Sequence, residues 1–425
     1  MSFDCQRELI AWDAAAVIDD PKEITTTFQC FHLDGSRASV DRVLQQLFNR
    51  ATWSLDHFAG GNAVDDGIRK SLNRPRQKRH PLRRIELQLS VTILIGLSRR
   101  NAHASAANHA AWRKDKILAF NEWQHIEWMR KQIAAAATVP VGIGDDCAVV
   151  EIAGQAALIT VDMLVEGVHF DLSTCSAIDV GRKAMNVNLS DIAAMAGTPI
   201  CAVVAVALPS GRSEDLPKQL FEGLKNAADA FNVAIVGGDT NRSTGGLVIS
   251  VTVFGEPHAK GSLLRSRAVP EDKILVTGPL GYSLDGKHLT FTPRLREARR
   301  LHDEYSLHAM MDLSDGLASD LFHLTGQSGC GAIVEASRVP IRKPASGLAS
   351  DERTALDHAL NDGEDFELLF TAPADQAERM IALQPLRDLG VEMTIIGAIT
   401  AANDVLLRQN GKLTPLRRGG YTHTF

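Results

Sequence analysis

The sequence predicts a mixed α/β protein with two domains and a separate N-terminal extension. Strand-like and helix-like segments alternate from residue 121 to the C-terminus, which is the pattern of α/β folds. The alternation restarts at about residue 260, so we predict one domain at 121–258 and a second at 259–425. Residues 1–120 show weak periodicity, and we treat them as an extension of unknown role, for which disorder is one interpretation.

The first domain is predicted from two helical segments and four apolar runs. The segment NEWQHIEWMRKQIAAA (121–136) has helical spacing, and at 214–232 apolar residues recur at intervals of three and four. Strands are predicted at 156–164, 201–209, 233–239 and 247–256.

The second domain repeats this alternation, which favours a second α/β unit over a continuation of the first. Strands are predicted at 273–278, 331–336, 366–373 and 393–400. Helices are predicted at 315–329 and 374–390.

The extension differs from the rest of the chain in charge. Residues 1–120 contain 18 Lys and Arg against 13 Asp and Glu, whereas residues 121–425 contain 27 against 38. Eight basic residues lie at 69–84, where a solvated linker is favoured over an anion-binding surface. The formal charge of the whole chain is −6, so we expect no nucleic-acid partner.

Cysteine usage and hydropathy predict a cytoplasmic protein. The six cysteines are scattered without a CxxC pair, which fits a reducing compartment better than a disulfide scaffold. The longest apolar run of the first hundred residues, 89–97, is shorter than the ~20 residues that span a bilayer. It also lies too far from the N-terminus for a signal peptide, and we expect no membrane partner.

The positions of the aspartates indicate the chemistry. They recur beside apolar segments at Asp145, Asp146, Asp162, Asp191, Asp239, Asp312 and Asp315. Carboxylates gathered in such places are costly unless a cation compensates their charge. Magnesium is held by carboxylates together with phosphate oxygens. The recurrence therefore favours multi-metal phosphoryl chemistry.

Each aspartate also has a structural explanation. Asp191 is expected at a helix start and Asp315 at a strand-to-helix turn. Both residues can therefore be helix N-caps, each of which stabilises a helix by about 1 kcal/mol. Asp162 and Asp239 are expected at strand ends, where Asp239 can be a turn residue. For any single aspartate these explanations are favoured, and only their recurrence favours a metal site.

Other reaction classes lack their motifs. The sequence has no GxSxG elbow, no HRD or DFG kinase motif, no strand-anchored GxGxxG and no zinc-type histidine spacing. The segment Gly281-x4-Gly286-Lys287 has P-loop spacing, but His288 replaces the hydroxyl residue that binds the cation. We interpret this match as chance.

Seven motifs, taken in order, resemble those of thiamine-monophosphate kinases over residues 121–425. They are GIGDDCAVV, TVDMLVEGVHF, KAMNVNLSDIAAMAGTP, VGGDTNR, LLRSRAVPEDKILVTGPLG, MMDLSDGLASDL and NDGEDFELLFT. The resemblance implies the two-domain fold of aminoimidazole ribonucleotide synthetase, with an N-terminal α/β domain that binds ATP and Mg²⁺ and pairs its sheet with a partner in a homodimer. It implies direct in-line transfer of the ATP γ-phosphate to thiamine monophosphate, the last step of thiamine diphosphate synthesis, with several Mg²⁺ ions.

The resemblance also implies residue roles and no catalytic residue, because the acceptor is already a phosphate oxygen. The implied metal ligands are Asp146, Thr160, Val161, Asp162, Asp191, Asp239, Asp312 and Asp315. The implied nucleotide contacts are Gly238, Asp239, Arg265 and Ser314. The implied thiamine phosphate contacts are His169, Glu364 and Arg418.

Three features depart from the family pattern. Arg418 stands at the place of an aromatic residue that packs on the substrate, although arginine can also stack on a ring. Asn241 replaces a hydroxyl residue, and the segment 281–293 is shortened. Two alternatives therefore stay open: another ATP-dependent small-molecule enzyme of this fold, or a non-catalytic dimeric binding protein. The full aspartate set favours the kinase.

Overall fold

The protein is described by a computed structural model that covers residues 17–20, 23–25, 122–344, 352–421 and 423. The chain divides into two compact units, residues 1–116 and 117–425. In the first unit, β1 (Val17–Asp20) and β2 (Glu23–Thr25) form an antiparallel pair. The basic segment 69–84 and the prediction of disorder there lie outside the described residues.

The second unit begins with α1 (Glu122–Gln132), which is followed by a five-stranded sheet. Its strands lie in the order β3, β4, β7, β5, β6, with β6 at the edge and parallel to β5. Their bounds are β3 (Ala148–Ile152), β4 (Gln155–Val165), β5 (Thr198–Pro209), β6 (Ala234–Ser243) and β7 (Val248–Glu256). Two helices, α2 (Ala177–Ala194) and α3 (Leu216–Ala230), cover one face.

Two glycines set the distance between α2 and α3. A Cβ on Gly181 would lie 2.1 Å from the Leu220 carbonyl oxygen, and one on Gly223 would lie 2.0 Å from the Ile178 carbonyl oxygen. Both contacts are far inside van der Waals range, so only glycine permits this crossing. The close crossing holds α2 firmly on the sheet.

A seven-stranded sheet follows, in the order β14, β13, β10, β12, β8, β11, β9. The strands are β8 (Lys273–Thr277), β9 (Met310–Asp312), β10 (Gly331–Glu335), β11 (Leu368–Ala372), β12 (Met393–Thr400), β13 (Val405–Gln409) and β14 (Lys412–Pro415). The helices are α4 (Lys287–Thr290), α5 (Leu295–Glu304), α6 (Leu317–Ser328), α7 (Ala355–Asn361) and α8 (Ala374–Leu383).

Helix α2 packs on both sheets and is therefore buried on nearly every side. Val180 and Met185 of α2 belong to the same apolar core as Phe291, Phe366 and residues of the first sheet. The rings of Phe291 and Phe366 stack with their centroids 4.1 Å apart. A polar side chain on α2 consequently lies between the two sheets, where the candidate site is found.

The structure confirms the mixed α/β class and corrects several boundaries. The helix predicted at 121–136 ends at Gln132, and the one predicted at 374–390 ends at Leu383, because Gln384 has a left-handed backbone (φ 44°). The predicted boundary between residues 258 and 259 stays a prediction. In the described part of the chain, no helix has both the length and the apolar composition needed to cross a bilayer.

Candidate functional site

Three aspartates from different elements converge where α2 meets the two sheets. Asp146 precedes β3, Asp191 lies in the last turn of α2, and Asp312 ends β9. One carboxylate oxygen of each lies within 4.8 Å of the other two. Carboxylate oxygens are hard donors of the kind that magnesium prefers, so this group of residues could hold a divalent cation. The expectation that Asp191 begins a helix was wrong, so N-capping does not explain this residue.

Neighbouring polar groups hold these carboxylates in place. The Thr160 hydroxyl of β4 donates to Asp191, and the Ser190 hydroxyl donates to Asp312 with 2.5 Å between the oxygens. The Asn188 side-chain oxygen accepts the peptide N–H of Asp162 at 3.0 Å. Asn188 and Ser190 were not among the predicted site residues. Their signal was the alternation of polar and apolar residues in NVNLSD, residues 186–191.

Burial, reinforced by repulsion between neighbouring carboxylates, raises the pKa values of Asp312, Asp162 and Asp191. Burial, then the charge of Asp146, raises the pKa of Asp312 to about 8 and that of Asp162 to about 6. Burial and the charges of Asp162, Asp312 and Asp146 raise the pKa of Asp191 well above its usual value. The site therefore holds more negative charge than its surroundings stabilise, and a divalent cation would compensate it.

Arg265 supplies a positive charge at the edge of this cluster. Its Nε donates to Asp146 Oδ2 at 3.1 Å, and its Nη2 donates to Asp146 Oδ1. Burial alone would lower the pKa of the guanidinium, but the paired Asp146 raises it overall. A bidentate arginine of this kind also suits a phosphate. Arg265 thus places a positive charge, suited to an anionic ligand, directly beside the carboxylates.

The metal-free protein is expected to lose stability as the pH rises from about 4 to about 8. The pKa values of Asp162 and Asp315 are raised to about 6, that of Asp145 to about 7 and that of Asp312 to about 8, from an ordinary value of 3.8. The folded state therefore holds protons that the unfolded chain has already released, so deprotonation favours unfolding. Melting curves in EDTA at pH 5.5 and 8.5 test this. The added stability from Mg²⁺ should be larger at pH 8.5, and an equal effect at both pH values would contradict the expectation.

Asp315 and Ser314 lie in the turn between β9 and α6. The N-cap explanation for Asp315 was wrong, since the Asp320 carboxylate accepts the peptide N–H groups of Asp315 (3.2 Å) and Gly316 (3.1 Å). Burial, then the nearby charge of Glu122, raises the pKa of Asp315 to about 6. Asp320 therefore orders the turn, and the Asp315 carboxylate is left to face the neighbouring acidic groups.

Asp239 does not join the cluster within one chain. Asp162 is paired with Val251 of the neighbouring strand β7, and paired residues point to the same face of a sheet. Val251 is fully buried, so both residues lie on the face that α2 covers. Asp239 is connected to Met163 through the successive pairs with Ala205 of β5 and Ser250 of β7, so Asp239 and Met163 share a face. Met163 is 57% exposed, which places both on the opposite, open face of the sheet. β6 is also three strands from β4, roughly 14 Å at the usual strand spacing. The expectation that Asp239 and Asp162 end strands was wrong, since both lie inside them.

At Gly238 the structure explains the need for glycine, and at Val161 it shows which way the side chain points. A Cβ on Gly238 would lie 1.8 Å from the Val204 carbonyl oxygen, so glycine is required for β5 and β6 to pair here. Val161 is 59% exposed on the open face of the five-stranded sheet. Its side chain therefore points away from the carboxylates, and only its backbone could contribute a ligand.

The structure brings His169 and Glu364 together through a buried lysine. Lys183 Nζ donates to the His169 carbonyl oxygen and to Glu364 Oε1, both at 2.7 Å. The His169 ring accepts the Val165 peptide N–H at Nδ1, 3.0 Å away. Lys183 was missed from the sequence, where it stood within a quoted motif and no role was assigned to it.

Arg418 lines a groove of about 1170 Å³ between α1, the turn at 140–145 and α6. Its Nη2 donates to His323 Nε2 at 2.9 Å, and its guanidinium lies 5.6 Å from the centre of the Trp123 ring. Burial, then Arg418, lowers the pKa of His323 to about 3, so this histidine is neutral and accepts the bond. Among the described contacts of Arg418, none is with His169 or Glu364.

The C-terminal tail continues from this groove across the site. The Tyr421 peptide N–H donates to the Asp315 carbonyl oxygen at 3.1 Å. The His423 ring lies 5.6 Å from the His169 ring, and its carbonyl oxygen accepts the Glu122 peptide N–H at 3.1 Å. The tail therefore connects α1, the Asp315 turn and His169, which the sequence motifs did not indicate.

Lys287, the lysine of the P-loop-like segment, forms an ion pair with Glu367 beside the seven-stranded sheet. Lys287 Nζ donates to Glu367 Oε1 at 2.8 Å, and Arg294 Nε donates to Glu367 Oε2 at 2.7 Å. Burial would raise the pKa of Glu367, but Arg294 and Lys287 together hold it at about 2. This internal ion pair agrees with the interpretation of the P-loop match as chance.

The fold and the carboxylate site define a class of protein. The sequence models of the AIR synthase related protein, N-terminal domain, and of the AIR synthase related protein, C-terminal domain, match residues 144–256 and 271–408. Within that class, the chain belongs to the thiamine-monophosphate kinase family. It is 37% identical over 287 residues to the thiamine-monophosphate kinase of Rhodopirellula baltica, an alignment that covers 65% of this chain and 89% of that one. For the Bacillus subtilis kinase the identity is 33% over 310 residues, covering 67% and 94%.

Solved structures show the same fold. A structure of AaThiL complexed with AMPPCP and TMP is 28% identical, with a TM-score of 0.61, and covers 72% of this chain and 97% of that chain. Thiamine-monophosphate kinase from Stenotrophomonas maltophilia is 33% identical, with a TM-score of 0.54, and covers 68% and 96%. The resemblance and the two-domain fold expected from the sequence are thereby confirmed.

Proposed function

We propose that this chain is a kinase that transfers the γ-phosphate of ATP directly to thiamine monophosphate and forms thiamine diphosphate. The observation that carries the proposal is the group of Asp146, Asp191 and Asp312 with Arg265 beside it. Two polyphosphate substrates repel each other, so their reaction needs a site that screens negative charge. Membership of the thiamine-monophosphate kinase family supports this choice of substrate.

We assign the cation-binding role to the converging carboxylates. Magnesium bound there would screen the phosphates and orient the reacting oxygens. The residues that would hold it are Asp146, Asp162, Asp191, Asp312 and Asp315, with Thr160 and the Val161 backbone beside them. Several ions are needed to engage all of these groups, since one magnesium ion takes only one or two carboxylates.

The remaining residues would bind the two substrates. Arg265 and Ser314 flank the carboxylates, so we assign them to the nucleotide phosphates. His169 and Glu364 are assigned to thiamine monophosphate. The groove lined by Arg418 has room for the organic part of a substrate, and Trp128 is 52% exposed along it.

We further propose a homodimer formed through the open face and edge of the five-stranded sheet. This face exposes large apolar side chains, including Val161, Met163 (57%) and Val236 (62%). Exposed apolar patches on a sheet mark interaction surfaces. Asp239 and Gly238 lie on the edge strand of that sheet, so a second copy packed there would bring them to its partner's carboxylates. Dimerisation thus supplies the ligand that the single chain lacks.

The activity assay is direct. Purified full-length protein, Mg²⁺, ATP and thiamine monophosphate are expected to give thiamine diphosphate, detected by chromatography after oxidation to a fluorescent product. Unphosphorylated thiamine should not be an acceptor, because it lacks the ionised phosphate oxygen that attacks the γ-phosphate, and its hydroxyl would need a general base. Omission of the divalent cation should abolish product. ATP binding without product would instead favour another ATP-dependent small-molecule enzyme of this fold.

The proposed compartment is the cytoplasm. Cys147, Cys175, Cys201 and Cys330 carry free thiols in the described part of the chain. Unpaired cysteines are typical of reducing compartments, which supports this assignment.

A further inference from the structure

Lys183 is a charged residue with no access to solvent. It lies in the middle of α2, and its relative exposure is 0%. Burial lowers the pKa of the ammonium, and the neighbouring Glu364 carboxylate raises it again. A buried charge persists only when partners compensate its lost hydration. The role of Lys183 is therefore inferred from its two hydrogen-bond partners.

Both partners lie at positions assigned to thiamine monophosphate. The ammonium bonds the His169 carbonyl oxygen, which belongs to the loop between β4 and α2, and Glu364 Oε1, which belongs to the loop between α7 and β11, each at 2.7 Å. These loops come from the two different sheets. One buried cation therefore fixes the distance between two otherwise independent substrate contacts.

Glu364 needs such a restraint because its backbone is strained. Its φ is +51°, in the left-handed region that non-glycine residues rarely adopt, and Phe366 has a φ of +49°. The Glu364 peptide N–H donates to the Ser314 carbonyl oxygen at 2.6 Å, which ties this loop to the Asp315 turn. Strained residues persist when surrounding contacts over-determine them. The peptide N–H of Glu364 is thus held by Ser314, and its side-chain carboxylate is held by the ion pair with Lys183.

We propose that Lys183 is a positioning residue for thiamine monophosphate, acting through Glu364 and His169. This inference rests on the proposed function. Because Lys183 is fully buried, it does not touch the substrate. It holds the Glu364 carboxylate in one orientation and keeps the His169 loop against the second domain, so that the phosphate acceptor, but not ATP, depends on it.

Lys183→Met tests this, since methionine keeps the apolar stem and removes the charge. The KM for thiamine monophosphate is expected to rise at least about tenfold, and the KM for ATP to change less than about twofold. Arg182→Met is the matched control, because Arg182 precedes Lys183 in α2, is partly exposed and pairs with Asp179, 3.0 Å away. It should leave both constants unchanged.

A double-mutant cycle separates positioning from general stability. In a Glu364→Gln background, Lys183→Met should alter the KM for thiamine monophosphate less than about twofold, because the charge it positions is gone. If Lys183→Met alone does not fold, the double variant, which leaves no unpaired charge, can still be compared with Glu364→Gln. Equal losses in both backgrounds, or a parallel rise in the KM for ATP, would overturn the inference. A wild-type protein without turnover would reject the proposed function and this inference together, whereas active wild type with an unchanged KM rejects the inference alone.

Discussion

Replacing Asp191 by asparagine is expected to lower the kcat for thiamine diphosphate formation at least about a thousandfold. Asp191 provides one of the three clustered carboxylate oxygens and comes from the helix that both sheets share. Asparagine keeps the shape and can still accept the hydroxyl proton of Thr160, so the fold should persist. The loss of kcat would therefore be due to the missing negative charge of Asp191. Steady-state kinetics with saturating Mg²⁺ measure it.

Thermal unfolding distinguishes this electrostatic role from a structural one. Removing one carboxylate from a crowded cluster relieves repulsion, so metal-free Asp191→Asn protein should melt above the metal-free wild type. Its stabilisation by Mg²⁺ should shrink, because the cation loses a ligand. Asp229→Asn is the control, since Asp229 is an exposed residue of α3 paired with Lys225. A variant that melts lower than wild type, or keeps its activity, would refute the metal assignment.

Mixing two inactive variants is expected to restore about a quarter of wild-type activity. If Asp239 serves the partner's site, a dimer of one Asp239→Asn chain and one Asp312→Asn chain contains one intact site, which combines Asp312 of the first chain with Asp239 of the second. Random assembly makes half of the dimers mixed. Co-expression of the two chains with different tags, followed by assay of the unfractionated dimers, measures this recovery. The purified mixed dimers should show about half of wild-type activity, because one of their two sites is intact.

The matched control pairs Asp312→Asn with Asp191→Asn. These two residues lie within one chain's cluster, so every mixed dimer carries a defect in both sites and no activity should return. Recovery in this control would show that the cluster itself is shared between chains. Failure of the Asp239 mixture to recover, in dimers confirmed by light scattering, would show that Asp239 does not serve the partner.

The convergence of Asp146, Asp191 and Asp312 followed from the sequence because aspartates beside apolar segments need compensation, and because the motifs resemble one family. The position of Asp239 did not follow. Local sequence gives the alternation of faces along a strand, but the order of strands in the sheet decides which aspartates meet. Only the cross-strand rows show that Asp239 and Asp162 point to opposite faces.

Helix α2 was missed from the sequence, where a helix was expected to begin only at Asp191. Amphipathic periodicity arises when one face of a helix meets water. α2 is enclosed by both sheets, so its polar residues Lys183, Asn188 and Ser190 are buried and interrupt the apolar pattern without marking an exposed face. Their partners lie far along the chain, at Glu364 and Asp312, and could be identified only from the fold.

The pairing of Arg265 with both oxygens of Asp146 has a consequence for cooperativity. A cation bound at Asp146 would compete with the guanidinium for this carboxylate, and a guanidinium released from it would be available to an anionic ligand. Nucleotide that engages Arg265 in turn exposes Asp146. Each ligand thereby lowers the cost of binding the other, and linkage requires the two enhancements to be equal. The metal-loaded nucleotide, which carries both charges, would make this exchange in a single event, so the ion pair would favour it over free ATP and over the free cation.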